Sequence, residues 1–145
     1  MYKIQVNGRS FEHDAPEISG QQLLTLIGLR HSVDYEILLQ IHPNEFEPVE
    51  IEEKVDLQKQ PVTIFTVKPY PEAVMGVDDE LYPFTEIFMT PVEIMNVAGL
   101  KEGEFYLKQL VGHQEITYKN DKNHVIALHD HIKFVSCKTT NTTVS

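Results

Sequence analysis

Three histidines near the carboxyl end of the sequence are the first residues whose side chains could bind a metal ion. His124, His129 and His131 fall within eight residues, and His113 could approach them in space. Zinc needs three or four converging ligands, and the i, i+2 spacing of His129 and His131 places both side chains on one face of an extended segment. The sequence has no His-Glu-x-x-His motif and no second close pair of ligands. The pattern therefore favours exposed or hydrogen-bonded histidines over a zinc site.

Cys137 is the next candidate, because a thiolate can act as a nucleophile. A reactive thiolate needs a nearby cation, a histidine or a helix amino terminus to lower the pKa of the thiol, and Lys138 is the only adjacent cation. We expect Cys137 to be a small apolar residue at the end of a strand. A single cysteine cannot form an internal disulfide, which agrees with a reducing compartment.

The chain contains none of the sequence motifs that mark the common classes of enzyme. It has no Gly-x-Ser-x-Gly, no Walker loop, no dinucleotide fingerprint and no paired-carboxylate arrangement. We therefore predict that the protein is not an enzyme, has no catalytic residue and uses no cofactor.

The acidic balance of the 145-residue chain argues against nucleic acid as a partner. It has 22 Asp and Glu against 12 Lys and Arg, a formal charge of -10, and no cluster of cations that could neutralise phosphates. A hydrophobic content of 41% is that of a folded protein. Because no apolar run has the length of a signal peptide or a membrane span, we predict a cytoplasmic protein with no membrane partner.

The carboxyl-terminal tail, residues 138–145, is short, polar and rich in threonine. It contains no core-forming residues, and we expect it to project flexibly from the domain. Two interpretations stay open. The tail is either a frayed terminus or the segment through which a modifier is joined to its target.

A tandem repeat determines the elements that position these residues. The segment from Gly20 to Leu29 returns 71 residues later from Pro91 to Leu100. The matched pairs are Leu23 with Ile94, Leu26 with Val97, Ile27 with Ala98, Gly28 with Gly99, and Tyr35 with Tyr106. A repeat of about 70 residues indicates two small domains rather than one larger one.

The first repeat reads as strand, strand, helix, strand, strand. Asn7-Gly8 favours a tight turn, Ser19 is a plausible helix N-cap, and Gly28 is suited to end the helix. The predicted elements are strands at residues 2–6 and 9–13, a helix between Ser19 and Gly28, a strand at 35–41, an acidic connection at 45–56, and a strand at 62–67. This order predicts a β-grasp domain, with the last strand central in the sheet.

The second repeat begins after a junction rich in proline, Lys68-Pro69-Tyr70-Pro71, where we place the domain boundary. The predicted domains are residues 1–68 and 69–145, the latter including the tail. Thr90, Pro91 and Glu93 predict a capped helix, and strands are predicted at 104–111, 115–118, 125–128 and 131–136. The last of these matches the strand at 62–66 after a one-residue gap. The hairpin before the helix must come from residues 72–89, where the match is poor. The predicted fold class is α+β, with two tandem β-grasp domains, which the resemblance described next makes ubiquitin-like.

With this repeat and tail, the chain resembles the bacterial multiubiquitin-domain proteins, the ubiquitin-like modifiers of bacterial ubiquitination-like operons. The residues that carry the resemblance are Tyr2 to Gly8, Ile18-Ser19-Gly20, Leu23-Leu24, Gly28-Leu29, Val55-Asp56-Leu57, Glu93-Ile94, Ala98-Gly99-Leu100 and His131 to Phe134. They are scaffold residues and therefore indicate fold and family more than a reaction.

The resemblance implies that the chemistry belongs to partner proteins. These partners are a dedicated activating enzyme, a conjugating enzyme and a JAMM-type metallopeptidase of the same operon, together with target proteins. Some such operons are implicated in antiphage defence. This chain would supply the terminal carboxylate, which the enzymes adenylate and pass on as an ester or thioester.

The tail departs from ubiquitin, which ends in a diglycine, because this chain has no glycine after Gly112. Either the tail is processed to a different terminal residue, or the protein is not conjugated. We expect Asn141 to become the mature end, within a processing site that includes its neighbours Thr140 and Thr142. Asn141 has the one distinct side chain that a peptidase could read in a threonine tract.

Two other interpretations remain open at this stage. The chain could be a non-covalent interaction protein whose copies stack into a homo-oligomer or filament through exposed apolar residues and edge strands. It could also be a sulfur carrier or a metal-binding domain, although the missing diglycine argues against a sulfur carrier.

Overall fold

The computed structural model describes residues 1–29 and 34–139. Contacts divide the chain into two compact units, unit 1 (Met1–Tyr70) and unit 2 (Pro71–Ser145). The division lies two residues beyond the boundary that the prolines suggested, because Pro69 still pairs with Tyr35 in the sheet of unit 1.

The sheet of unit 1 has the strand order β2-β1-β7-β4-β5. Its elements are β1 (Tyr2–Val6), β2 (Arg9–His13), β3 (Glu17–Ser19), α1 (Gly20–Leu26), β4 (Tyr35–His42), β5 (Glu45–Pro48), β6 (Lys54–Asp56) and β7 (Val62–Pro69). The first and last strands, β1 and β7, pair in parallel at the centre, and β3 pairs with β6 in a separate small ladder. This is the β-grasp arrangement that the element order predicted.

The prediction of a plain acidic connection at residues 45–56 is wrong, because this stretch contains β5 and β6. All four residues of β5 are exposed. Acidic side chains such as Glu45 and Glu47 are tolerated on an edge strand, where they discourage pairing with other chains. Because these residues are charged, the composition of the stretch did not predict a strand.

Unit 2 repeats this arrangement, with the strand order β12-β11-β14-β8-β9. Its elements are β8 (Val74–Val77), β9 (Glu80–Pro83), β10 (Phe88–Met89), α2 (Pro91–Val97), β11 (Phe105–Val111), β12 (Gln114–Thr117), β13 (Ile126–Ala127) and β14 (Ile132–Lys138). Again the first and last strands of the sheet, β8 and β14, pair in parallel. The predicted fold class, α+β with two tandem β-grasp domains, is confirmed.

Both helices begin with a reciprocal capping box. In α1, Ser19 Oγ accepts from the Gln22 backbone N–H at 3.1 Å, and Gln22 Oε1 accepts from the Ser19 backbone N–H at 2.9 Å. Thr90 and Glu93 make the same pair of hydrogen bonds at α2. These boxes satisfy amide groups that a first helical turn leaves without partners, so they fix where each short helix starts.

The pairing of the final strands corrects two details of the repeat. Tyr35 lies opposite Pro69, and Phe105 lies opposite Lys138, in each case at the last residue of the final strand. Tyr35 therefore corresponds to Phe105, not to Tyr106 as the sequence spacing suggested. Because strand side chains alternate between faces, this one-residue difference decides which aromatic ring points into the core.

The final strands themselves are related by an offset of 69 residues. Val6 pairs with Phe65 in unit 1, and Val77 pairs with Phe134 in unit 2. Relative to the offset of 71 that relates the first strands and the helices, two residues are missing, so the predicted one-residue gap is wrong. Phe65 and Phe134 are 1% and 2% exposed, and each is a central residue of its own core.

The hairpin that opens unit 2 uses the two acidic residues Asp78 and Asp79 as its turn. Their φ angles are 52° and 69°, and those of Asn7 and Gly8, 71 residues earlier, are 50° and 83°. Both turns thus place two successive residues in the left-handed region, which a two-residue hairpin requires. The sequence match was poor because aspartate replaces glycine, although the geometry is the same.

Asn7 and Asp78 also make equivalent cross-links to the final strand of their units. The side-chain amide of Asn7 accepts from the Val67 N–H at 2.8 Å and donates to the Val67 carbonyl at 2.9 Å. The Asp78 carboxylate accepts from both the backbone N–H and the hydroxyl of Ser136. Each turn is therefore tied to the central strand of its sheet.

Replacing Asp79 with glycine should stabilise unit 2 by about 1 kcal/mol, because glycine adopts a positive φ without the steric cost that other residues incur. Thermal unfolding followed by circular dichroism would show a higher midpoint. The matched control is Gly8→Asp in unit 1. A Cβ there would meet no atom within 4 Å, so its destabilisation measures the backbone cost alone. A lower midpoint for Asp79→Gly would contradict this account of the turn.

Candidate functional site

The carboxyl end of the described chain is the first part of the candidate site. β14 includes Lys138, and the Thr139 backbone N–H donates to the Glu104 carbonyl at 3.0 Å. The Thr139 hydroxyl donates to the Gly103 carbonyl at 3.0 Å. The expectation that the tail begins at Lys138 is therefore wrong, since cross-strand bonding continues to Thr139. The predicted processing residues Thr140, Asn141 and Thr142 lie outside the described residues.

The outer face of the sheet in unit 2 carries a shallow apolar depression of about 150 Å³. Met75 and Val77 point into the core, so Gly76 between them faces outward. Leu81 lies opposite Gly76 and is 62% exposed. The residues around the depression are Gly76, Asp79, Leu81, Leu110, His131, Lys133, Phe134 and Val135. Asp79 and Lys133 both line this depression, so it combines apolar side chains with one charge of each sign.

The corresponding face of unit 1 has a different chemistry. Ser10 and Gln5 occupy the paired positions that Leu81 and Gly76 hold in unit 2. On the far edge strands the two units are alike, since Phe46 of unit 1 is 45% exposed and Ile116 of unit 2 is 44% exposed. The two units therefore share a fold but differ in chemistry at this pair of outward positions.

The histidines do not form the extended pair that the sequence suggested. β14 begins at Ile132, and His131 lies in the preceding turn with a φ of 63°. The His131 N–H donates to the Val74 carbonyl at 2.7 Å, and the Asp130 carboxylate accepts from the Val74 N–H at 2.8 Å. A ring nitrogen of His129 lies 3.0 Å from the Asp130 carbonyl. Across residues 1–29 and 34–139, no group of three or more His, Cys, Asp or Glu could hold a metal ion.

Cys137 lies in β14 opposite Tyr106 and is partly buried, with no disulfide. The nearby Lys108 ammonium donates to the Glu115 carboxylate at 3.3 Å. This hydrogen bond is the main reason why the pKa of Lys108 is raised above its ordinary value, and the field of Cys137 contributes less. Lys108 is therefore engaged mainly by Glu115.

Comparison with known proteins shows what the first unit is similar to. Residues 2–69 match the family model described as Multiubiquitin. Searches among curated proteins and among solved structures gave no match. The predicted resemblance is thus confirmed for a multiubiquitin domain in unit 1, and the same strand order extends the ubiquitin-like fold to unit 2. Within the described residues, no helix has the length and apolar character needed to cross a bilayer.

Proposed function

We propose, from the multiubiquitin domain of unit 1, that this chain is a ubiquitin-like protein modifier of a bacterial ubiquitination-like pathway. It acts in the cytoplasm, and its carboxyl-terminal tail is trimmed by a JAMM-type peptidase of the same operon. A dedicated activating enzyme and a conjugating enzyme then attach it to target proteins, in a pathway of antiphage defence. The family match over residues 2–69 is the observation that carries the proposal.

The chemistry assigned to this chain is that of an acyl donor. A carboxylate oxygen of the mature end attacks the α-phosphate of ATP, which forms an acyl adenylate and releases pyrophosphate. A thiol or hydroxyl of the enzymes displaces AMP to give a thioester or ester, and a nucleophile of the target displaces that group in turn. This chain contributes the carboxylate and the surfaces that its partners bind, whereas the partners contribute the catalytic groups.

The position of the tail in the fold supports this role. β14, the last strand before the tail, is the central strand of its sheet and pairs in parallel with β8, and Thr139 is still hydrogen-bonded to Glu104. Residues 140–145 carry no charged side chain and no aromatic ring, and they include three threonines. A segment of this kind suits passage through the narrow channel of an activating enzyme, although threonine is wider than glycine.

Intact mass spectrometry of the protein co-expressed with its genomic neighbours tests the proposal. We expect a loss that corresponds to residues 142–145, which leaves Asn141 as the mature end, together with adducts of higher mass. The variant Asn141→Ala should remain untrimmed and form no adducts, and Thr143→Ala is the matched control that should behave as the unchanged chain. Adducts formed by Asn141→Ala with its full tail uncut would rule out Asn141 as the processing residue.

A second candidate function is non-covalent self-assembly, which the exposed apolar side chains of Leu81 and Phe46 favour. On this hypothesis, the mass stays unchanged while the neighbours are active. The molar mass measured by light scattering then grows with concentration, also after deletion of residues 140–145. Adducts together with a constant molar mass would instead leave the modifier as the better account.

A further inference from the structure

The end of the first unit repeats the geometry of the end of the second. The Tyr70 backbone N–H donates to the Asp34 carbonyl at 3.1 Å, just as the Thr139 N–H donates to the Glu104 carbonyl at 3.0 Å. Both donors directly follow the final strand of their unit, and both acceptors directly precede the strand that pairs with it. Tyr70 is therefore the structural counterpart of Thr139.

This equivalence gives the tail an internal counterpart within the chain. The residues that follow Tyr70 are Pro71, Glu72 and Ala73, and those that follow Thr139 are Thr140, Asn141 and Thr142. The bond between Glu72 and Ala73 thus lies as many residues after Tyr70 as the proposed cleavage position after Asn141 lies after Thr139. A peptidase that recognised only the end of a β-grasp domain would meet two such sites.

The bond between Glu72 and Ala73 is inaccessible to a peptidase on its carboxyl-terminal side, because the chain enters the core of unit 2 directly after it. In this sense the junction is closed. Ala73 is 4% exposed and belongs to that core, and its carbonyl accepts from the Phe84 N–H at 3.3 Å. At Val74, the backbone N–H donates to the Asp130 carboxylate at 2.8 Å and the carbonyl accepts from the His131 N–H at 2.7 Å. The backbone groups that a peptidase would have to bind are thus already used.

The upstream side is equally restricted. Pro69 still pairs in the sheet of unit 1, Tyr70 is held by its bond to Asp34, and Pro71 lacks a backbone N–H. Pro71 and Glu72 are exposed. Peptidases bind a substrate as an extended strand through backbone hydrogen bonds, and susceptibility to cleavage follows the burial and bonding of the backbone concerned. Two exposed residues between two bonded segments do not supply such a strand.

We infer that the junction is an inactivated copy of the tail site, so that the peptidase which trims the tail cannot separate the two units. The tandem is then handled as one indivisible modifier with a single processing site, and each conjugation event transfers both outer surfaces together. The inference rests on the proposed function for its peptidase. The closure of the junction, by contrast, follows from the burial and hydrogen bonds of this chain and does not depend on the proposed function.

Digestion of the purified full chain with endoproteinase Glu-C tests the closure, with fragments 1–72 and 73–145 measured by intact mass. The unchanged chain should resist cleavage after Glu72. A variant with Gly-Ser-Gly-Ser inserted between Glu72 and Ala73 should be cleaved after Glu72 at least about 100-fold faster. Cleavage of the unchanged junction must wait for unfolding, and the unfolded fraction of a folded protein is on the order of 10⁻³ or less. Equal rates for the two proteins would overturn the inference.

The variant Pro71→Ala separates the effect of the proline from that of the buried backbone. We expect it to resist Glu-C as the unchanged chain does, because the bonds of Ala73 and Val74 are unaffected. Cleavage as fast as in the insertion variant would show that the downstream burial is not the barrier and would overturn the inference. Circular dichroism confirms that each variant is folded before digestion.

The co-expression experiment separates this inference from the proposed function. A fragment that ends within residues 70–73, formed by the neighbouring peptidase, would overturn the inference while leaving the modifier function intact. Absence of all trimming and adducts would remove the proposed function, and resistance to Glu-C would still establish that the junction is closed.

Discussion

Replacing Phe134 with alanine should lower the free energy of unfolding of unit 2 by about 3–5 kcal/mol, the usual cost of removing a large side chain from a packed core. Phe134 lies in the central strand β14, pairs with Val77 and is 2% exposed. A loss of this size is a large fraction of the stability of a domain of about 70 residues. Chemical denaturation, followed by hydrogen exchange of the amides of unit 2, would measure it.

The matched control is Val135→Ala, the next residue of the same strand. Its side chain faces outward, into the depression beside Gly76, and we expect its removal to change the stability by less than about 1 kcal/mol. The variant Phe65→Ala should give a loss in unit 1 similar to that of Phe134→Ala in unit 2, since the two phenylalanines occupy equivalent positions. A loss for Phe134→Ala no larger than that for Val135→Ala would contradict the assigned register.

Replacing Gly20 with alanine should destabilise unit 1 by about 1–3 kcal/mol, the range found for overpacked sites. Helix propensity alone predicts the opposite sign, because alanine favours a helix by about 1 kcal/mol over glycine. A Cβ at this position would lie only 2.5 Å from the Glu50 carbonyl oxygen and 3.0 Å from the Ile51 Cα. These are backbone atoms, and they cannot rotate away as a flexible side chain would.

The loop that approaches Gly20 is itself held close to the helix. The Gly20 N–H donates to the Glu53 carbonyl at 3.2 Å, and the Gln21 N–H donates to the Ile51 carbonyl at 2.9 Å. A shift that relieved the clash would stretch these bonds, which is why we expect the steric cost to exceed the gain in propensity. Thermal unfolding of the Gly20→Ala variant is the measurement.

Gly103→Ala is the control for this substitution. A Cβ there would meet no atom within 4 Å, and the φ of Gly103 is not positive. We expect a change within about 0.5 kcal/mol, as at an ordinary surface position. An increase in stability for Gly20→Ala would show that the loop moves at little cost.

The arrangement of the sheets was predictable only in part, because strand pairing joins residues that are distant in sequence. The hairpin around Asn7-Gly8 and the strongly apolar strand β7 follow from local pattern. The acidic strand β5 does not, because its exposed glutamates give no alternation, and only its pairing with β4 makes it a strand. The Asp78-Asp79 turn was missed for a related reason, since its stability comes from Ser136, 58 residues away.

The candidate site was also predictable only in part. The threonine-rich tail and the proline junction can both be read from the sequence, but their equivalence cannot. It depends on the matching hydrogen bonds of Tyr70 and Thr139, which connect residues 35 or more positions apart. The prediction that His129 and His131 form an extended pair was wrong. His131 lies in a turn, where its backbone N–H donates to the Val74 carbonyl.

The sequence by itself determined that this chain is a repeat of two β-grasp units and where the two helices start. These features depend on capping within three residues and on the spacing of apolar side chains along one element. Both are interactions or patterns between residues that are close in sequence. The tertiary structure alone decided the register of the final strands, the difference between the two outer faces, and the closure of the junction. Each of these depends on which distant backbone groups form hydrogen bonds, and a linear pattern does not specify that choice.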